Sequence, residues 1–423
     1  MKRIGVAVVM FAASASADDA LPPWNESGDL PVPAWVRSVT ANRADPAIYA
    51  EPGKLDQRRG TAQPGAHLPF FGTRRASGCP GRWLAVGPMA WICSDVAEFS
   101  PDEPLPAQGG RRPLPSIEPT SANDDGLPHR YYFAGRDGAY GFMNLQNALD
   151  DAPDQELEPG FAVAITEEQS AHGERWGKTK KGRWIAMREL SPAHPLLFHG
   201  ELTPADGKLD VAWVVVEKAI TYATQKTDKA KGQKVRFEKV KIVDDGGAVV
   251  KIDGGDWMKT KDLARPSVMT PPDDLGGAAA TERWIDVDLA QQTLVAYEGA
   301  RPVFSTLVST GKGPVGSEFE TRKGVHRIWV KVTTTKMDNL DKDDADRHYA
   351  LEDVPWVQFF DKSIALHGVF WHRDFGHVHS HGCVNLTPLD ARWLYAFTSP
   401  HLPAGWTAAL PTKIEQGTAI RVR

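Results

Sequence analysis

Residues 367–385 read HGVFWHRDFGHVHSHGCVN, and the rest of the chain is understood outward from them. The stretch holds five of the thirteen histidines and Cys383. A cysteine becomes a nucleophile when a base lowers its thiol pKa and oriented amides face the developing oxyanion. Ser380-His381-Gly382-Cys383 is a turn of that kind: Gly382 lets the backbone bend sharply and come close to a substrate without a Cβ in the way. His367 ends the apolar run SIAL, so it stands at a strand end, where a rigid scaffold can aim it. On spacing alone, His367, His372, His377, His379 and His381 all lie within reach of Cys383 as its base.

At 423 residues the chain is too long for one core, and two to four domains are expected. A net charge of −5 lacks the basic excess of nucleic-acid binders, so no nucleic acid partner is expected. The 38 glycines and 32 prolines favour short strands and turns over long helices. No apolar run of about 18 residues follows the N-terminus, so no membrane span is expected. Lys2 and Arg3, the apolar Ile4–Ala13 and the small residues Ala15-Ser16-Ala17 fit a signal peptide over 1–17 and an exported, periplasmic or wall-associated protein. In an oxidising compartment Cys79 and Cys93, fourteen apart, suit a disulfide worth roughly 3 kcal/mol in the chain-entropy model. Cys383 is then left over as a free thiol.

After the signal, 18–34 reads as an irregular tail. Residues 35–100 alternate short apolar runs with Gly and Pro turns, the pattern of a small barrel. Residues 101–128 hold seven prolines and read as a semi-rigid linker. A weak repeat follows: Trp184-Ile185-Ala186-Met187 and Trp257-Met258-Lys259-Thr260 both echo Trp91-Ile92-Cys93-Ser94. It marks three β modules, at 35–100, 129–205 and 206–265, that loosely resemble bacterial SH3-like domains. Their basic stretches, Lys178, Lys180, Lys181 and Arg183, then Lys226, Lys229, Lys231, Lys234 and Arg236, are candidates for contact with an anionic polymer, although such residues are more often solvated loops, and the modules themselves are candidates for glycan contact. Residues 266–280 read as a second linker. From Thr281, RWIDVDLAQQTLVAYEG alternates about a turn at Ala290-Gln291-Gln292, as a hairpin does. The acidic loop 338–346 lacks the spaced ligands and glycine of a calcium loop. One helix is expected at 387–397, with Leu389, Trp393, Leu394 and Phe397 on one face.

Taken together, HG…WH…FG…SHGCVNL, with His367 sixteen residues before Cys383, resembles the signature of the L,D-transpeptidase (YkuD-type) catalytic family. The opening hairpin and STGKG with the following Gly316-Ser317-Glu318-Phe319 extend the resemblance over 281–423. Pro314-Val315-Gly316 departs from the family's Thr-Pro-x-Gly and touches only loop geometry. The resemblance implies a mainly β, multidomain protein: SH3-like modules, then a β-rich catalytic domain with few helices. It implies a peptidoglycan L,D-transpeptidase that is carbapenem-sensitive, takes stem peptides as substrate, and needs neither cofactor nor metal. Cys383 would be the nucleophile, His367 its base and Gly368 the carbonyl that orients the imidazole. Amides near His381, Gly382 and Cys383 would form the oxyanion hole, with Ser380, His381 and Asn385 as support. Trp371, Trp356, Phe359 and Phe360 are candidate walls of a substrate channel, and core packing explains each equally well. An L,D-carboxypeptidase and a protein-to-peptidoglycan anchoring enzyme share this chemistry.

Three rivals stand against it. His377, His379 and His381 alternate, so on a strand they would share one face and could hold zinc in a wall hydrolase. Papain-like peptidases place the cysteine well upstream of the histidine, the reverse of the order here. A wall-binding protein with a decayed site is disfavoured because no motif residue is missing.

Overall fold

The computed structural model describes residues 32–106, 114–273, 275, 281–340 and 348–423. The expected signal peptide at 1–17 lies outside them, as do most of the tail, parts of both linkers and residues 341–347 of the acidic loop. The protein is mainly β and built from several sheets, with two α-helices among the described residues, Leu145–Leu149 and Pro388–Phe397. No helix among the described residues is long and apolar enough to cross a membrane. The chain divides into two compact units, one running to Arg58 and from Gln63 to Ala107, the other holding 59–62 and everything from Gln108.

In the first unit Ser38–Ala41 pairs with His67–Pro69 and Ala97–Ser100, and Trp83–Gly87 pairs with Gly72–Arg74 and Ala90–Cys93. Cys79, Trp83, Ala85 and Trp91 form its small core. The expected disulfide joins Cys79 to Cys93, with Cα atoms 5.6 Å apart. A unit this small buries little apolar surface, so a covalent staple matters more to it than to a large domain.

The second unit begins with two further β blocks. In the first, Arg130–Ala134 and Glu174–Thr179 flank Ala162–Ala171. In the second, seven short strands between Val211 and Ala264 form one antiparallel sheet around Ala212, Val214, Val240, Val250, Ile252 and Met258. The sequence echo has a structural counterpart. Trp184–Ala186 and Trp257–Lys259 each run into a 3₁₀ turn, Met187–Glu189 and Thr260–Asp262, and then into a closing strand that starts at Leu190 or Leu263.

The C-terminal region contains two sheets and a helix. Arg283–Asp288 pairs antiparallel with Thr293–Glu298 and parallel with Ala419–Val422, so the end of the chain closes the sheet that the hairpin opens. Alternation suggests a half-exposed Arg283–Asp288 strand, yet Asp286 is 1% exposed. The reason is charge: its carboxylate lies 2.6 Å from Arg421 Nε and 2.8 Å from Arg423 Nε. The second sheet holds Val330–Asp338, Ala350–Asp361, Ile364–Gly368 and Val384–Leu386. Helix Pro388–Phe397 starts at Thr387 with Pro388 pre-set for the first turn, and it buries Leu389, Trp393, Leu394 and Phe397. Trp393 stacks on Phe304 at 4.4 Å and on Phe397 at 5.1 Å. Each such side chain contributes about 1.5–3 kcal/mol on burial. The helix C-terminus is closed by Lys331, 1% exposed, whose ammonium donates to the carbonyls of Tyr395 and Thr398. A cation there satisfies orphan carbonyls and complements the helix dipole.

The linkers need correcting. Residues 114–127 are no free spacer: Ile117 enters the core beneath the helix, and Asp124 pairs with Arg392 at 2.6 Å. That guanidinium holds the Asp124 carboxyl well below the usual carboxylate range. In 266–280, Met269 and Leu275 pack on Trp284 and Tyr297. Their apolar residues, sparse as they are, find sheet faces to cover. Several of the basic residues are also committed elsewhere. Lys180 and Lys181 reach Asp353 and Glu352, while Lys178, Arg183, Lys231, Lys234 and Arg236 pair with Glu167, Asp154, Asp256, Glu238 and Glu217.

Candidate active site

Ile364–Gly368 lies parallel to Val384–Leu386, with Leu366 beside Val384 and His367 beside Asn385. It also runs antiparallel to Ala350–Asp361, with Phe359 beside Ala365. Side chains alternate between the faces of a sheet. Phe359, Ala365, His367 and Asn385 therefore share one face, and Cys383, one residue before Val384, belongs with them. Phe360, Ile364, Leu366, Val384 and Leu386 take the other face and join the core under the helix. The parallel ladder thus brings together two motif residues that are sixteen apart in sequence. It also separates the candidate channel residues into two groups. Phe359, Trp371 and Cys383 pack against the same buried cluster, which holds Ala365 and Phe370. Phe360 and Trp356 go to the helix side, where Trp356 donates its indole N–H to the Gly126 carbonyl at 2.8 Å.

His367 is 2% exposed, and its Nδ1 lies 3.1 Å from the Gly368 carbonyl. A carbonyl only accepts, so Nδ1 carries the hydrogen and Nε2 keeps its lone pair. Trp371 stacks on the ring at 5.8 Å and 21°. Burial lowers the His367 imidazole to about 4. The Cys383 thiol donates to the Ser363 carbonyl at 3.9 Å, and burial pushes it up to about 11. At neutral pH both groups are uncharged.

The cysteine turn is tied down on every side. Ser380 Oγ accepts from the Gly382 amide at 3.1 Å and donates to the Cys383 carbonyl. Gly382 has φ +116°, a conformation L side chains rarely adopt, which is why glycine stands there. Thr321 Oγ1 donates to the Gly382 carbonyl at 2.7 Å and accepts from the Gly311 amide at 2.8 Å. The STGKG segment is zipped alongside: the His379 and Ser380 amides donate to the Thr310 carbonyl, and Ser309 and Asn385 exchange two backbone bonds. His381 points away from this knot, its ring 4.6 Å from Phe319 and parallel to Tyr349 at 5.9 Å.

His372, without a role in the sequence reading, proves to be a neighbour of the site. Its Nδ1 accepts from the Asp374 amide at 3.1 Å, and its Nε2 lies 2.8 Å from the Asn385 carboxamide. With Nδ1 accepting, Nε2 bears the hydrogen, so the carboxamide presents its oxygen; its two ends interchange by a half-turn. That orientation also gives the buried Asn385 Oδ1, otherwise without a partner, a donor. The 377–381 segment is a loop rather than a strand, so His377, His379 and His381 diverge. His377 Nε2 meets the Val215 carbonyl at 2.7 Å, and His379 Nδ1 pairs with Asp374 at 3.0 Å.

Both β blocks of the second unit brace this loop. Phe370 packs between Tyr131 and Phe133, with ring centroids at 4.2 and 5.9 Å. Val369 and Phe375 pack with Trp213 and Val215. Arg236 donates to the Phe375 carbonyl at 3.2 Å. No sequence signal marked these long-range contacts or Thr321.

Residues 282–421 match the family model of the L,D-transpeptidase catalytic domain, YkuD. A search of curated proteins finds no match to the chain. Among solved structures, the chain is similar to an L,D-transpeptidase from Xylanimonas cellulosilytica, with 18% identity, 34% of this chain and 61% of that one covered, and a TM-score of 0.24. It is similar to the catalytic domain of an E. faecium L,D-transpeptidase at 22% identity, covering 34% of this chain and 97% of that one, with a TM-score of 0.26. L,D-transpeptidase 3 from Mycobacterium tuberculosis, in complex with a faropenem-derived adduct, is 16% identical over 40% of this chain and 72% of that one, with a TM-score of 0.27. The match thus spans less than two thirds of the Xylanimonas chain. Residues 282–421, the C-terminal third of the chain, thus match the YkuD L,D-transpeptidase catalytic domain.

Proposed function

We propose that the protein is a peptidoglycan L,D-transpeptidase that works through a Cys383 thioester. The observation that carries this reading is the placement of Cys383 and His367 on one face of two paired parallel strands, with His367 Nε2 left as a base by the Gly368 bond. His367 Nε2 takes the thiol proton as the sulfur attacks the carbonyl of the third residue of a tetrapeptide stem. The C–N bond to the terminal D-alanine then breaks, and the proton passes from His367 to the departing amine. An amine of a second stem attacks the thioester, His367 accepts its proton, and Cys383 leaves and is reprotonated. If water replaces the amine, the products are those of an L,D-carboxypeptidase; if the amine belongs to a protein, those of an anchoring enzyme.

The Gly382 amide is already donated to Ser380 Oγ, so the leading oxyanion donor is the Cys383 amide, with Ser380 holding the turn. Asn385 supports the same strand through His372. Phe359 and Trp371 are the proposed walls of the donor channel. The β blocks, taken as SH3-like modules on the strength of their repeated Trp–3₁₀–strand closures, serve to brace the loop. The disulfide and the signal-like N-terminus support an exported, wall-associated location.

The test incubates the purified protein with muropeptides and resolves the products by mass. Dimers identify cross-linking, tripeptides carboxypeptidase activity, and protein-linked stems anchoring. Cys383→Ala is expected to release no D-alanine and to form no carbapenem mass adduct while keeping its melting temperature. Release of D-alanine by that variant would refute the assignment.

A further inference from the structure

We propose that His372, Asp374 and His379 form a binding site for a divalent transition-metal ion, zinc being the expected occupant. One ligand atom from each residue lies within 4.8 Å of the other two. Bonds of about 2.0–2.2 Å to one ion bring such atoms to within about 4 Å of each other, so closure requires a rotation of side chains and the release of His372 Nδ1 from the Asp374 amide. Two imidazoles with one carboxylate suit zinc, copper or nickel far better than magnesium or calcium. Three protein ligands leave a fourth position open, which water fills.

The site is nearly assembled. The His372 and His379 rings stand 4.3 Å apart, and His379 Nδ1 is 3.0 Å from Asp374 Oδ2. The backbone that carries them is fixed at several points. Gly376 and His379 donate their amides to the carbonyls of Val308 and Thr310, and the β block at 211–264 clamps the loop through Val215 and Arg236. A rigid loop loses little entropy on binding a metal. His372 Nε2 is occupied by the Asn385 carboxamide, so Nδ1 is the ligand, and the Asp374 amide gives way to the ion. The remaining N–H of His372, donated to Asn385, is then the outer contact that orients a metal-bound imidazole. Asp374 and His379 are half-exposed and exposed, which opens a path to solvent. The Arg236 guanidinium, 3.9 Å from Asp374 Oδ1, opposes a cation and weakens the site. This set differs from the alternating His377, His379 and His381, and it stands whether or not Cys383 is a transpeptidase nucleophile.

The test titrates zinc chloride into the full chain, disulfide intact, by calorimetry. The wild-type protein and Cys383→Ala are expected to bind one zinc with equal affinity. Asp374→Asn and His379→Ala are each expected to bind about tenfold more weakly or worse. His379 is exposed, so that variant keeps the fold, and an unchanged melting temperature without metal confirms it. Absence of binding to the wild type at millimolar zinc overturns the proposal. So does undiminished binding by His379→Ala, or loss of binding in Cys383→Ala alone, which would put the ion on the thiol.

Discussion

The resting charge state of the Cys383–His367 pair is open to direct measurement. With the thiol at about 11 and the imidazole at about 4, the two stand about 7 pH units apart. Moving the proton from sulfur to nitrogen then costs about 10 kcal/mol, at 1.36 kcal/mol per unit. Attraction between the resulting charges returns about 4 kcal/mol at 4 Å and an effective dielectric of 20. The balance, about 6 kcal/mol, leaves the ion pair at about one molecule in 10⁴. Solvent reaches one side of Cys383, so about 11 is the upper bound. The assay is alkylation by iodoacetamide across pH 6–9, followed by the mass of the Cys383 peptide, with Cys79 and Cys93 silent in their disulfide. Above pH 8, where the free thiolate outweighs the ion pair, the rate is expected to rise about tenfold per pH unit and to be about 100-fold below that of an ordinary thiol, as a pKa displaced by two units requires. His367→Ala is expected to leave this profile unchanged yet to slow carbapenem acylation by about 10²–10⁴, because the base acts only in the transition state. A plateau that reaches pH 8 or above and disappears in His367→Ala would show a thiolate–imidazolium pair far more populated than about one molecule in 10⁴ and sink the reasoning.

Two further perturbations probe the support. A Cβ at Gly376 would lie 2.4 Å from Val215 Cγ1, and φ is +85°, so Gly376→Ala is expected to cost about 1–3 kcal/mol in thermal unfolding and to slow acylation of Cys383. A variant as stable and active as the wild type would show that the clamp by the 211–264 block is dispensable. Asp390, fully buried, accepts from the Gly200 amide at 2.8 Å and from Thr306 Oγ1, and burial raises its carboxyl to about 6. Between about pH 4 and 6 the unfolded chain has released this proton and the folded chain still holds it, so stability falls as pH rises through that window. Asp390→Asn is expected to flatten that fall, read as melting temperature against pH, and an equally steep fall in the variant would exclude Asp390 as its source.

The sequence by itself determined the catalytic motif and most local elements. A cysteine after glycine in SHGC, a histidine closing an apolar run, the hairpin at 283–298 and the helix at 388–397 all rest on residues close together in the chain. Local patterns carry such features because turn geometry, side-chain period and capping depend on near neighbours. What joined His367 to Cys383 was the register of two parallel strands, and parallel pairing is a non-local choice that no short window contains. The same register decided that Phe359 faces the cysteine while Phe360 enters the core, since a one-residue slip would exchange them. His372 could not be told from its neighbours in sequence because its partner, Asn385, is reached only when the loop folds back over the strand. The linkers hid their packing for a related reason: proline-rich composition predicts a semi-rigid segment without regular structure, but only the finished sheets show which exposed apolar faces Ile117, Met269 and Leu275 cover. Tertiary structure alone decided that the middle and third blocks brace the 369–377 loop, because Tyr131, Phe133, Val215 and Arg236 act through contacts more than a hundred residues distant.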